Sequence, residues 1–206
     1  MSAPTSYWDV YYSREGDVPP PSLFARFCAG LLSAGSRVYE AGAGSGRDAY
    51  YLASEGHSVE ASDLSSLPAS TERCIFTRED MGALPRRADL DMVYSRFSLH
   101  SVSAAAASAF LAWSYSSLKP GGLLAVEARS VNDPLCGRGE ALASDTFAGE
   151  TAHAQAHFRR FIRLDQLVAE LEATGFVVAS AEEGSGFAPF GQEDPVCVRV
   201  VARKAA

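Results

Sequence analysis

Val38-Tyr39-Glu40-Ala41-Gly42-Ala43-Gly44-Ser45-Gly46-Arg47 is the stretch that decides the fold. Arg37–Ala41 reads as a strand, and Arg47–Glu55 reads as a helix stopped by Gly56. Between them the glycines let the backbone bend sharply and let a ligand approach closely, while the helix start offers free N–H groups. Many α/β loops are merely tight, so the details matter. A dinucleotide fingerprint places a third glycine where this chain has Arg47. The pattern here is acidic-x-Gly-x-Gly-x-Gly, with Glu40 at the strand end. A carboxylate there repels a pyrophosphate and suits a ligand with a positive end, an ammonium or a sulfonium.

Outward from this turn the texture alternates. Ser58–Ser62 is a strand ending at Asp63, 23 residues beyond Glu40, where a carboxylate can accept hydrogen bonds from two ribose hydroxyls. Cys74–Thr77 and Leu90–Tyr94 are further strands. An Ala-rich helix over about Ala104–Leu118 follows, closed by Lys119-Pro120-Gly121-Gly122. Leu123–Ala128 is the fifth strand. Residues 129–163 read as an irregular polar insertion, and such insertions are usually functional. Leu164–Ala173 is a helix stopped by Gly175. Phe176–Ala181 and Val196–Val201 have no room for a crossover helix and should pair antiparallel. Strands alternating with helices imply right-handed crossovers and a parallel sheet. Ahead of all this, Leu23, Phe24, Phe27, Leu31 and Leu32 fall at helical spacing after Pro19-Pro20-Pro21, with Gly35 as the stop. Only ten residues, 64–73, separate Asp63 from Cys74, so a second crossover helix must be very short or lost.

Length and composition set the outer bounds. The chain has 206 residues, 47% hydrophobic and 21% charged, which suits one domain over 1–206 with a sizeable core. A net charge of −7 argues against a long nucleic-acid groove. No apolar run reaches the roughly 18–20 residues of a membrane span, and the N-terminus lacks a secretory pattern. The cysteines Cys28, Cys74, Cys136 and Cys197 are scattered, which fits reduced thiols in a cytoplasmic protein better than disulfides or a metal knuckle.

The motifs together resemble the class I S-adenosylmethionine-dependent methyltransferases. They are Glu40 through Arg47; Asp63-Leu64-Ser65; Glu79-Asp80-Met81; Tyr94-Ser95-Arg96; and Leu118-Lys119-Pro120-Gly121-Gly122. The resemblance covers nearly all of the chain from Arg37. It implies an α/β, Rossmann-like doubly wound sheet of order 3-2-1-4-5-7-6 with an antiparallel last strand and an N-terminal helical lid over 1–35. It also implies S-adenosyl-L-methionine as cofactor. In such a site the Gly turn holds the methionine part, Asp63 the ribose, and Asp80 the adenine amine, Asp80 being otherwise a turn residue. The cofactor side then comprises Glu40, Gly42, Ala43, Gly44, Gly46, Arg47, Asp63, Leu64, Asp80, Met81 and Ser95. The lid adds Tyr11. Its aromatic residues Tyr7, Trp8, Tyr11 and Tyr12 suit either packing or a cover for the sulfonium.

Ligands of open α/β sheets bind outside the carboxyl ends of the strands. Three polar clusters converge there: Arg96-Phe97-Ser98-Leu99-His100, Glu127 to Asp133, and His153 through Phe161. The segments Arg96–His100 and His157–Phe161 resemble those of a subgroup of bacterial small-molecule methyltransferases. Tyr12, Arg129, His157, Arg159 and Arg160 are the candidate acceptor contacts. His100 and Arg96 are the candidate catalytic groups, with His100 the best base because a histidine titrates near pH about 6.5. Arg159 and Arg160 point roughly 100–180° apart, so both cannot easily face one pocket. His57, in a connection, is expected to be solvent-exposed. His153 and His157 lack a third ligand, so no metal is expected. Arginines suit bidentate anion recognition, and the favoured reaction is O-methylation of a small anionic metabolite by a monomer or homodimer. The alternatives are a neutral natural-product hydroxyl or amine, a protein side chain, a non-catalytic cofactor-binding module, and an NAD(P)-dependent reductase. The last is opposed by Glu40 and Arg47.

Overall fold

The computed structural model describes residues 19–65, 67–151 and 154–205, and the side chains of 150–157 are outside that description. Tyr7, Trp8, Tyr11, Tyr12 and His153 therefore lie outside the described residues. Pro19-Pro20-Pro21 leads into α1 (Leu23–Ala29), capped by the Ser22 hydroxyl accepting from the Ala25 N–H. The helix ends at Ala29, short of the expected Gly35. Gly30 closes it, and its N–H turns back to the Arg26 carbonyl. Phe24, Ala25 and Cys28 face inward, leaving Leu23 and Phe27 exposed.

The strands and helices then alternate: β1 (Arg37–Ala41), α2 (Arg47–Ser54), β2 (Ser58–Asp63), β3 (Cys74–Arg78), β4 (Leu90–Arg96), α3 (Ala104–Ser117) and β5 (Leu118–Arg129). After an excursion come α4 (Leu164–Thr174), then two long strands, Phe176–Gly184 and Cys197–Lys204. The excursion holds β6 (Glu140–Ala143), β7 (Thr146–Thr151) and β8 (Ala154–Arg160), so the final pair are β9 and β10. The main sheet has the order β3-β2-β1-β4-β5-β10-β9. β1 to β5 are mutually parallel, and β10 runs antiparallel to both β5 and β9. The expected topology is thus present. No helix occurs among the described residues of 64–73.

The central strands are buried on both faces, as parallel strands covered by helices must be. On one face Val38, Met92, Tyr94, Leu123, Ala125 and Val201 pack against Phe24, Cys28, Ala49 and Leu52 of α1 and α2. On the other, Tyr39, Val93, Leu124, Val126, Val198 and Val200 pack against Phe110, Leu111, Leu167 and Leu171 of α3 and α4. Alternation along each strand therefore sends neighbouring residues to opposite layers.

Two expectations are corrected. His57 is buried, not solvent-exposed, because its N–H bonds back to the Leu52 carbonyl and tucks the connection under α2. The insertion is not irregular. It carries the antiparallel sheet β6-β7-β8, folded at a tight corner where Asp145 adopts φ 54°. Its two ends meet at a bridge between Ser130 and Ile162, so the excursion leaves and re-enters at the carboxyl end of β5.

Candidate functional site

The Gly-rich turn hangs from the tip of β2. The N–H groups of Gly42 and Ala43 both donate to the Ser62 carbonyl, at 2.8 and 2.9 Å, and the Gly44 N–H donates to Asp63 Oδ2 at 2.9 Å. Gly42 (φ 76°) and Gly46 (φ 77°) lie in the left-handed region. A Cβ on Gly42 would fall 2.0 Å from Ser98 Oγ, and one on Gly46 would fall 2.7 Å from Phe76 Cζ. Both positions exclude a side chain on conformation and on space. Asp63 Oδ1 accepts from the N–H and hydroxyl of Ser65, which orients the carboxylate and leaves one acceptor site, on Oδ2, beyond these bonds.

Glu40 sits at the bottom of this turn, 3% exposed. Its Oε2 is buried with no hydrogen-bond partner. Burial, reinforced by the neighbouring Asp48 carboxylate, pushes its carboxyl well above the usual range, and Arg96 and Arg47 oppose that rise. A buried carboxylate oxygen without a partner is costly, and a donor or cation brought to Oε2 would offset that cost. Ser95, fully buried at the tip of β4, also has an unpartnered hydroxyl. Arg47 opens α2 with its Nε 3.6 Å from Asp48 Oδ1. Asp48 accepts from the Ser22 N–H and hydroxyl and from the Tyr94 hydroxyl, at 2.7–2.8 Å, tying α1, α2 and β4 together beneath the turn.

Beyond β3, Asp80 is exposed. It caps a short 3-10 turn, Met81–Ala83, by accepting from the Gly82 N–H at 2.8 Å, so its turn role is present in full. One carboxylate oxygen makes that bond. Met81 packs into the core on the α3 side, and Leu64 is half-buried after Asp63.

On the acceptor side the geometry departs from the expected cationic pocket. Arg96 donates from Nε to Glu127 Oε1 at 2.8 Å, and Arg199 donates from Nε to Glu127 Oε2 at 2.9 Å. Glu127 is fully buried between them. Arg129 pairs with Asp133 at 2.9 Å and Glu193 at 3.2 Å. Arg160 donates to the backbone carbonyls of Leu99 (3.1 Å) and Val102 (3.4 Å), clamping β8 onto the 3-10 turn Leu99–Ser101. Burial draws its guanidinium below the ordinary arginine value. Arg159, the next residue along β8, projects to the other face and is half-buried. His157 lies on the same strand, its side chain outside the description. His100 is buried, and its Nδ1 accepts from the Arg129 backbone N–H at 3.3 Å. That acceptance assigns the ring proton to Nε2.

Three participants were not among the site residues expected from sequence. Phe97 adopts φ 54°, rare for a bulky residue, at the exit of β4. Its half-exposed ring lies 4.4 Å from the Arg96 guanidinium and 5.4 Å from the His100 ring. Asp48 and Arg199 complete the buried charge layer. Neither had a sequence signal beyond its place on an inward-facing position. Among the described residues no cluster of three metal-ligating side chains occurs.

The fold is a Rossmann-like doubly wound sheet with a buried carboxylate, Glu40, at its Gly-rich turn. A family model described as a methyltransferase domain matches residues 19–181, and the chain belongs to that family of S-adenosylmethionine-dependent methyltransferases. A search of the curated proteins returns no match. Among solved structures, a SAM-dependent methyltransferase from Methanosarcina mazei aligns with TM-score 0.73 at 18% identity, covering 87% of this chain and 97% of that one. The 1,6-didemethyltoxoflavin-N1-methyltransferase of Burkholderia thailandensis, with bound 1,6-didemethyltoxoflavin and S-adenosylhomocysteine, aligns at 0.71 and 25% identity. It covers 98% of this chain and 85% of that one. The glycopeptide N-methyltransferase MtfA with S-adenosylhomocysteine aligns at 0.62 and 23% identity, over 93% and 90% of the two chains. No helix among the described residues is long and apolar enough to cross a membrane.

Proposed function

We propose that this enzyme methylates a neutral small molecule on a nitrogen lone pair. The single observation behind this reading is the engagement of the arginines. Arg96, Arg129 and Arg160 each bond within the protein, to Glu127, to Asp133 and Glu193, and to two backbone carbonyls. The expected anion-binding cluster loses those three members, and with them the reason to favour an anionic oxygen. His100 points the same way. Its Nδ1 already accepts a hydrogen bond, and a base is needed only for an acceptor that starts protonated. The neighbour at 25% identity, a 1,6-didemethyltoxoflavin-N1-methyltransferase, adds weight to this choice.

In this reading Glu40 holds the α-ammonium, Asp63 the ribose hydroxyls, and Asp80 the adenine amine. Gly42, Ala43, Gly44 and Gly46 shape the turn around the methionine part, with Arg47, Leu64, Met81 and Ser95 completing the lining. S-adenosylmethionine supplies, when bound, an electrophilic methyl carried on a sulfonium. The protein's own task is alignment and exclusion of water. Asp63 anchors the Gly turn to β2, Ser98 braces it from the acceptor side, and Arg160 fixes the turn carrying His100. Phe97 offers a half-exposed aromatic face to the acceptor. Tyr11 is assigned to the cofactor and Tyr12 to the acceptor, both outside the described residues. His157, whose side chain lies outside the description, and Arg159 are assigned to the acceptor. The net charge of −7 opposes a nucleic-acid substrate, and the free thiols Cys28, Cys74 and Cys197, all buried, suit the cytoplasm.

The test is a turnover screen that follows S-adenosylhomocysteine release. Neutral nitrogen heterocycles are compared with carboxylates, phosphates and phenols of equal size. Turnover confined to the nitrogen compounds supports the reading. Turnover confined to the anions contradicts it.

A further inference from the structure

A polar chain, buried at Tyr39 and Ser62 and partly buried beyond them, crosses the α3 face of the sheet, on the far side from Glu40. The Tyr39 hydroxyl lies 2.6 Å from Ser62 Oγ and donates to Glu79 Oε2 at 2.9 Å. Since the phenol has one proton and gives it to Glu79, Ser62 donates to Tyr39. Glu79 Oε1 accepts from Arg87 Nη2 at 2.9 Å, and Arg87 Nε donates to Glu60 Oε2 at 2.8 Å. The Arg87 guanidinium covers the Tyr39 ring at 4.4 Å. Trp113 Nε1 donates to the Pro85 carbonyl at 2.8 Å, pinning the same connection to α3. Tyr39 is fully buried among apolar neighbours, where a phenylalanine would fill the same space.

The hydroxyl's two partners are informative by position. Ser62 immediately precedes Asp63 and Glu79 immediately precedes Asp80. Ser62 and Asp63 close β2, where successive side chains project to opposite faces, and Glu79 follows β3 directly. Fastening Ser62 and Glu79 on one face therefore limits the separation of the two carboxylates beyond them. No helix among the described residues of 64–73 braces these tips. We infer that the Tyr39 hydroxyl is a positioning group that sets the spacing of Asp63 and Asp80 and so the selectivity of the site for adenosine. The inference rests on the assignment of those carboxylates to ribose and adenine amine. The ligand chemistry it serves is a vicinal diol together with an exocyclic amine at fixed distance.

Calorimetry on the full chain tests this with S-adenosylhomocysteine and its 6-oxo analogue S-inosylhomocysteine, which lacks the amine. The proteins are wild type, Tyr39→Phe, Asp80→Asn and the double variant, each with its thermal midpoint. Wild type prefers the adenosyl ligand by about tenfold, the worth of one hydrogen bond to a charged group. Asp80→Asn erases the preference. Tyr39→Phe, with Asp80 untouched, cuts it by about threefold or more, and the double variant is no worse than Asp80→Asn. Ser62→Ala removes the other partner and gives the same reduction if Tyr39→Phe does not fold. A Tyr39→Phe protein that keeps the full preference, or binds both ligands equally more weakly, overturns the positioning role while Asp80→Asn still erases the preference. If Asp80→Asn leaves the preference intact, the adenine assignment itself fails.

Discussion

Glu40→Gln should weaken the cofactor and strengthen the empty protein. Glu40 is 3% exposed, one of its oxygens has no partner, and Asp48 lies near enough to disfavour its charge. Its carboxyl is raised by burial first and by Asp48 second. A carboxyl raised in the folded state stabilises the fold below its unfolded value of about 4.3 and loses that contribution as pH climbs through the folded value. Relative to the glutamine variant, wild-type stability without ligand therefore falls with rising pH across that window. Glutamine does not ionise, so the variant lacks this loss and its thermal midpoint exceeds wild type at the alkaline end. Ligand binding moves oppositely. A hydrogen bond between charged groups contributes about 1.5–3 kcal/mol, so S-adenosylhomocysteine affinity drops roughly 10- to 150-fold. The assays are differential scanning fluorimetry over a pH series and isothermal calorimetry at the plateau. Calorimetry of wild type below the folded value should also show proton release on binding, seen as a dependence on buffer ionisation enthalpy. Affinity within about twofold of wild type, or identical pH profiles for the two empty proteins, refutes the reasoning.

Gly42→Ala places a Cβ 2.0 Å from Ser98 Oγ on a backbone at φ 76°. It should cost more than about 1 kcal/mol, a midpoint drop of about 2–4 °C for each kcal/mol, and abolish calorimetric binding of S-adenosylhomocysteine. Glu127→Gln removes the buried anion between Arg96 and Arg199 and should destabilise by about 3 kcal/mol in urea unfolding. Arg160→Met severs the donations to Leu99 and Val102 while keeping the stem. It should lower kcat/KM for the acceptor by about tenfold with an unchanged S-adenosylhomocysteine Kd, measured by initial rates and calorimetry.

The main sheet was legible because its signals are local. Arg37–Ala41 runs straight into a Gly-rich turn, and β2 and β4 end at residues with their own chemistry, Asp63 and Arg96. The antiparallel pairing of β9 with β10 followed from the missing crossover. What stayed hidden depends on partners distant in sequence. Arg199 meets Glu127 across 72 residues, and no spacing within either strand announces it. The arginine count at the sheet edge was correct as composition, yet Asp133, Glu193 and the carbonyls of Leu99 and Val102 engage those charges. β6-β7-β8 is not legible in the sequence because β6 is exposed along its whole length, so it lacks the alternation that marks a half-buried strand. Phe97 at φ 54° is imposed by the bracing of Ser98 against Gly42 and of the Phe97 N–H on the Glu127 carbonyl, contacts that exist only in the folded chain. The burial of His57 likewise arises from the turn geometry after α2.

A crystal structure of the chain with S-adenosylhomocysteine would weigh on the account most directly. The ligand's amino group should lie within about 3.2 Å of the Glu40 carboxylate and donate to Oε2, which has no hydrogen-bond partner within the protein. An amino group turned to solvent, with Glu40 still lacking a donor, would contradict it.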